Sequence, residues 1–280
     1  MSKILAVLAH PDDESYGMGG TLALYAARGV EVYLLCATGG EVGTVDPKYL
    51  LVHKTIAELR QSELRCAAEK LGLKGVFFLG YRDSGMRGTE HNNHPDAHIA
   101  RPVEEVAARI ARYLRELRPD AVITFDPQGV YGHPDHIHVH NATVLACERS
   151  GDPTFCPECG EPFQVRALYF HILSRGLLKL AIRVMPLFGQ DPRRSGRNHN
   201  IDLTAMVAND YPTHVRLDIS SVRRAKDAAL ACHESQGGGR ARRGPMRFFR
   251  ALFGERELFM RHHPPVPPGW RGRSDLLDLR

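Results

Sequence analysis

Two short stretches of the chain crowd together residue types that bind metals and move protons. AHPDDE, at residues 9–14, sets His10, Asp12, Asp13 and Glu14 directly after an apolar run. Residues 126–140 bring Asp126, Tyr131, His133, Asp135, His136, His138 and His140 together after another such run. A hydrolytic zinc site needs three protein ligands and an open position for water, and two imidazoles plus one carboxylate supply them. His10, Asp13 and His136 make such a set, leaving Asp12 beside the metal and free to accept a proton. Neighbouring side chains diverge, so one of two adjacent aspartates can bind metal while the other deprotonates water. Asp135 is expected to hydrogen-bond His133, raise its pKa and keep it a cationic proton donor to the leaving group. Tyr131 is expected to donate to the developing oxyanion.

The same ligand types also describe the facial triad of non-haem iron enzymes, so Fe(II) stays open beside zinc. The adjacent aspartates favour hydrolysis. Any one of the 15 histidines, taken alone, reads as a surface or cap residue. Two compact clusters at the same edge of one sheet do not, although His138 and His140 are left as extra polar positions on the following helix. Gly17, Gly19 and Gly20 lack the spacing of a dinucleotide fingerprint and read as close packing of a helix. CPEC, with Cys156 and Cys159, resembles half of a zinc knuckle, but the chain holds no second such pair. The two are read as paired unliganded thiols, a structural metal completed by distant or partner-chain ligands being the alternative.

Short apolar strands and amphipathic helices must position these clusters. KILAVLA (3–9), VEVYLLCA (30–37), GVFFLG (75–80) and AVITF (121–125) read as strands buried on both faces. Helical spacing fills the gaps: TLALYAARG up to Gly29, residues 54–72, and Val103 to Leu117. Strict alternation implies βαβ units with right-handed crossovers, hence a Rossmann-like three-layer α/β sandwich with a mainly parallel sheet. Ligands in such sheets bind at the carboxyl ends of the strands, where both clusters fall. The pattern loosens over 151–212, expected to be an excursion and possible lid, within which VRALYFHIL reads as a strand and GLLKLAIRVMPLF as a buried or lid helix. Regular structure resumes with THVRLDIS and a helix from Ser221 to about His233. Residues 1–260 are expected to form one domain, and 261–280 a proline-rich tail, extended or disordered.

The 280 residues are 43% hydrophobic and 25% charged, an ordinary globular composition. Neither a secretory leader nor a membrane span is expected, which points to the cytoplasm without stable membrane insertion. Six cysteines are too sparse for a disulfide framework, and a reducing compartment fits. The net charge of +5 comes largely from DPRRSGR and RARRGPMRFFR, read as solvated basic surface rather than a nucleic-acid site. Homo-oligomerisation stays open.

AHPDDE at 9–14 and GHPDH at 132–136 resemble the signature of the PIG-L/LmbE superfamily of zinc-dependent de-N-acetylases, over roughly residues 3–260. The resemblance implies His10, Asp13 and His136 as zinc ligands and Asp12 as general base. It implies His133 as general acid or oxyanion partner oriented by Asp135, and Tyr131 on the oxyanion. TGGEVG, ELRQSELRCAAEKLG and RDSGM are similar to family positions for the sugar and its aglycone, implying substrate contacts at Glu41, Arg60 and Asp83. Read without the family, Glu41 and Asp83 are carboxylates in loops after the second and third strands, where sugar binding and turn capping are both open. HESQ makes His233 a supporting residue by the same resemblance. The pairing of RDSGM with YGHPDH is most similar to the branch acting on N-acetylglucosaminyl-inositol in mycothiol biosynthesis. The implied reaction is removal of acetyl from a 2-acetamido group of an N-acetylglucosamine conjugate. The alternatives are deacetylation of a different conjugate and a metal-dependent lyase or hydratase of an unsaturated acid.

Overall fold

A computed structural model describes residues 1–173, 175–195, 201–207, 209, 211–238, 256–267, 269–270 and 272–278. The basic run at 240–250 lies outside these residues, as does part of DPRRSGR. In chain order the elements are β1 (Lys3–Leu8), α1 (Gly19–Ala27), β2 (Glu31–Thr38), α2 (Ile56–Leu71), β3 (Gly75–Tyr81), α3 (Val103–Leu117) and β4 (Ala121–Phe125). There follow a kinked turn α4 (Gly129–Gly132), α5 (Pro134–Arg149), β5 (Leu168–Ile172), α6 (Arg175–Val184), the short α7 (Leu203–Met206), β6 (Val215–Asp218), α8 (Arg223–Cys232) and β7 (Arg256–His263).

Seven strands form one sheet in the order β3-β2-β1-β4-β5-β7-β6. Pairing is parallel from β3 through β5, and β7 runs antiparallel to both β5 and β6. The central strands are apolar throughout because helices cover both faces: Leu5, Ala6, Val7, Val122 and Ile123 are fully buried. After β1 the chain builds outward through β2 and β3, then returns to place β4 on the other side of β1. Such a reversal opens a crevice at the carboxyl ends of β1 and β4.

Local chemistry sets the helix ends. Thr55 caps α2 by accepting from the Glu58 amide at 3.1 Å, and Gly72 closes it in the left-handed region at φ 74°. α1 is capped from far away, for the Glu257 carboxylate of β7 accepts from the amides of Gly20 (3.0 Å) and Thr21 (2.7 Å) and from Lys226 Nζ (2.6 Å). An anion at a helix N-terminus is favoured by the unpaired amides and the helix dipole. A side chain at Gly20 would overlap Ile219, which accounts for that glycine by close packing.

Four expectations are corrected. The excursion is narrower than 151–212, because β5 is an internal strand of the sheet. Of the buried and lid readings of α6 the buried one fails, since Leu180 is 44% exposed. The tail boundary at 260/261 cuts through β7, and the chain then returns to the core: Leu276 is fully buried, its carbonyl accepting from Tyr169 and its amide donating to Tyr25. Finally, Cys66 of α2 is bonded to Cys232 of α8, and Cys156 to Cys159. The first pair is separated by 166 residues and is brought together only because the two helices pack side by side.

Candidate active site

The loops after β1 and β4 face each other because these strands are paired neighbours. His10 Nδ1 lies 3.2 Å from His136 Nε2. The two Asp13 oxygens bridge the rings, Oδ2 at 3.5 Å from His10 Nδ1 and Oδ1 at 3.2 Å from His136 Nε2. Ligand atoms about 2.1 Å from a tetrahedral zinc ion stand about 3.4 Å from one another. The donor set therefore fits a divalent ion in both chemistry and spacing.

Supporting contacts fix each of these side chains. Asp13 Oδ2 accepts from the His10 amide at 2.7 Å, and His136 stacks on Phe125 with ring centres 4.0 Å apart. His10 Nε2 lies 3.1 Å from the Asp135 carboxylate, which would accept its proton and leave Nδ1 to a metal bound there. Ser84 holds Asp135 through its amide (2.9 Å) and hydroxyl (2.6 Å), and His98 Nδ1 approaches it at 3.3 Å. Burial alone would raise the carboxyl pKa of Asp135, but the hydrogen bonds from His10 and His98 hold it well below the usual range. Asp13 is likewise held low against burial by His136 and His10.

This geometry overturns the expected role of Asp135. Its nearest carboxylate oxygen is 4.0 Å from His133 Nδ1, whereas that nitrogen accepts from the Asp135 backbone amide at 3.2 Å. His133 is the N-cap of α5, and its side chain satisfies one of the free amides of the first turn. Burial, reinforced by His10 and His136, pushes the His133 pKa down to about 3. A pKa that low, with Nδ1 accepting the Asp135 amide, favours a neutral imidazole with its proton on Nε2 over a cation.

Asp12 has φ 134°, a region that side-chain-bearing residues rarely adopt. Its amide donates to Glu14 Oε2 at 3.1 Å, and Glu14 Oε1 meets His233 Nε2 at 2.7 Å in a fully buried pair. Burial raises the Asp12 pKa to about 6, opposed chiefly by the Arg60 guanidinium 3.2 Å away. Arg60 is 4% exposed and also donates to the carbonyls of Pro11 (2.8 Å) and Gly40 (3.1 Å). Within the protein the guanidinium joins three groups, the carbonyls of Pro11 and Gly40 and the Asp12 carboxylate.

Tyr131 packs edge-on against His136 and His133, with ring centres at 5.0 and 5.9 Å, and burial raises its pKa so that it stays a hydrogen-bond donor. Asp83 is 4% exposed, accepts from the Gly85 amide at 2.8 Å and has Oδ1 3.5 Å from His10 Nε2. Glu41, half-buried, accepts from the Asp83 amide at 2.8 Å. Asp126 turns inward and accepts from the amides of Gln128 (2.9 Å) and Val130 (3.1 Å), shaping the loop that carries Tyr131. His140 donates to the Phe125 carbonyl at 2.8 Å, and His138 packs edge-on against His98. Gln128 meets the segment after α6, donating to the Ala205 carbonyl (2.7 Å) and accepting from Asn209 (2.9 Å). Sequence reading overlooked Ser84, His98 and Glu63, whose carboxylate binds the Ser235 amide and hydroxyl, both at 2.7 Å. Ser84 stood within the quoted RDSGM, but His98 had no local signal.

The chain is similar to known proteins in both sequence and fold. Residues 5–147 match the PIG-L family model, described as GlcNAc-PI de-N-acetylase. The chain is 37% identical over 246 residues to a 1D-myo-inositol 2-acetamido-2-deoxy-alpha-D-glucopyranoside deacetylase of Streptomyces scabiei, covering 84% of this chain and 76% of that one. A protein of the same name from Thermomonospora curvata is 38% identical over 244 residues, covering 84% and 80%. The N,N'-diacetylchitobiose deacetylase of Pyrococcus horikoshii shares the fold at a TM-score of 0.64 and 24% identity, over 93% of this chain and 83% of that one. So does the 4-carboxy-2-hydroxymuconate hydratase of Pseudomonas putida, at 0.59 and 20%, over 95% and 98%. A fold shared by a deacetylase and a hydratase does not choose between them, but the family model and the nearer relatives do. The chain belongs to the PIG-L family of de-N-acetylases, hydrolases of amide bonds.

Proposed function

We propose that the chain removes acetyl from the 2-acetamido group of a small N-acetylglucosamine conjugate, releasing acetate and a free amine. The relatives' names favour N-acetylglucosaminyl-inositol as that conjugate. The observation that carries the reading is the convergence of His10, His136 and both Asp13 oxygens, with contacts of 3.2–3.5 Å, next to the strained Asp12. Zinc, or Fe(II), held by these three residues would polarise the amide carbonyl and acidify a water molecule.

The side chains divide the remaining work. An Asp12 carboxylate oxygen accepts the proton of the attacking water and, with a pKa of about 6, is acidic enough to return it to the departing nitrogen. Arg60 keeps that carboxylate aimed and ionised at neutral pH. His133 donates a hydrogen bond from Nε2 rather than a whole proton, and Tyr131 donates its hydroxyl to the oxyanion. Glu41 and Asp83 stand nearby as acceptors for sugar hydroxyls. A small polar substrate of this kind fits a cytoplasmic enzyme.

The test is a panel of N-acetylglucosamine conjugates of inositol, malate, phosphatidylinositol and chitobiose, incubated with zinc or Fe(II) and scored for acetate and free amine. Turnover of the inositol conjugate is expected. Hydration of an unsaturated acid with no acetate from any conjugate would overturn the proposal.

A further inference from the structure

The loop between α5 and β5 is wound around one buried guanidinium. Arg115 of α3 is 4% exposed, and its five N–H donors reach the carbonyls of five loop residues. Nε reaches Ser150 at 3.1 Å, Nη1 reaches Cys156 at 2.7 Å and Gly160 at 3.2 Å, and Nη2 reaches Asp152 at 2.8 Å and Phe155 at 2.7 Å. With the carbonyls turned inward, the chain bends sharply at Cys156 (φ 51°) and Gly160 (φ 96°), and the Cys159 amide closes the turn on the Cys156 carbonyl at 2.9 Å. The turn joins Cys156 and Cys159 in a disulfide, their Cα atoms 5.4 Å apart.

The two sulfurs are not equivalent. Cys156 is partly exposed, while Cys159 is 6% exposed, with its Sγ 3.4 Å from the Ala108 carbonyl of α3. A cavity of about 410 Å³ adjoins both, walled by Phe78 of β3, by Glu105, Arg109, Arg112 and Tyr113 of α3, and by Glu158, whose Oε1 is 3.1 Å from Cys156 Sγ. That volume suits a small molecule. Arg109 pairs with Glu105 at 3.6 Å, whereas Arg112 is exposed and has no ion pair among the described residues. None of the residues assigned to the metal site lines this cavity.

We propose that Cys156–Cys159 is a thiol–disulfide exchange site and that the adjoining cavity receives a low-molecular-weight thiol. The thiolate of the small molecule attacks Cys156 Sγ, the accessible sulfur. A mixed disulfide forms, and Cys159 leaves as a thiolate that takes up a proton. A second small thiolate attacks the small-molecule sulfur of the mixed disulfide, releasing Cys156 and the small-molecule disulfide. Two electrons pass from two thiols to the protein, and the reverse sequence reoxidises it. An accessible attacked sulfur beside a buried leaving sulfur is the asymmetry that directs such exchange. A metal suits the cluster less well, because the sulfurs and Glu158 supply three ligands where a closed structural zinc site takes four.

The full-length protein is equilibrated with graded ratios of reduced and oxidised glutathione, quenched in acid, alkylated and cut with trypsin. The peptide 150–166 holds both cysteines and no others. The native protein is expected to pass from zero to two alkyl groups on this peptide as the buffer becomes more reducing. Cys159→Ser should trap one glutathione on Cys156, Cys156→Ser should trap none, and in samples quenched before equilibrium Arg112→Ala should lag several-fold. The double cysteine variant should keep its circular dichroism and its deacetylation rate. The proposal is overturned if the pair reacts only after denaturation, or if Cys159→Ser traps nothing. It is equally overturned if the protein carries one zinc per chain that alkylation of this peptide releases.

Discussion

The two halves of the site begin with the same three letters. His10-Pro11-Asp12 is followed by Asp13 and His133-Pro134-Asp135 by His136, and in both the fourth residue faces the centre between the loops. The backbone then separates them. Pro134 opens α5 with His133 extended as its cap (φ −63°, ψ 129°), and the Asp135 side chain turns inward, fully buried, to hold His10. Asp12 sits at φ 134° instead, which leaves its carboxylate 19% exposed and facing Arg60. On the proposed mechanism one aspartate supports a ligand and the other carries a proton, and the residue types alone do not say which is which.

Substitutions can break this comparison, starting with the largest effect. Asp12→Asn should lower kcat by about 10²–10⁴-fold, the usual contribution of a general base. Its metal content, read by elemental analysis, should stay at the wild-type value. Asp135→Asn should act differently, weakening metal affinity by about 10–100-fold while saturating metal restores most of kcat. A competition titration with a chelating dye measures this. If Asp135→Asn instead moved a pH limb and left affinity alone, the division between the two aspartates would be wrong.

Smaller effects sharpen the picture. Activity should rise with pH through about 6, because the raised Asp12 carboxyl must lose its proton to act as base. His133, with its pKa near 3, should add no limb near neutrality. Arg60→Met removes the cation that lowers the Asp12 pKa and should move the acid limb upward by about 1–3 units, as seen in kcat/KM against pH. Pro134→Ala should matter least, costing about 0.4–1 kcal/mol through the freer unfolded chain, as read by Tm or urea midpoint.

Much of this was legible in the sequence, for physical reasons. The strands announce themselves because burial on both faces demands unbroken apolar runs, and AHPDDE is contiguous, so His10, Asp12 and Asp13 are found together. The direction of Asp135 was less plain, although proline after a histidine, before an apolar periodic stretch, is a helix-start signal. Followed through, it makes His133 a cap that uses the Asp135 amide. No local pattern marks the Cys66–Cys232 bond, the capping of α1 by Glu257 or the burial of Leu276, since each depends on packing between distant segments.

The pairing of β1 with β4 also sets a schedule. His10 and His136 are 126 residues apart, so the ligand set cannot exist until the chain has closed that loop and laid β4 against β1. Long-range pairing of this kind is slow compared with local helix formation. Metal capture by the full set would thus follow, and not precede, the pairing of β4 with β1. Once bound, the ion acts on the whole molecule, and free metal at 100 times its Kd would deepen the native state by about 2.7 kcal/mol.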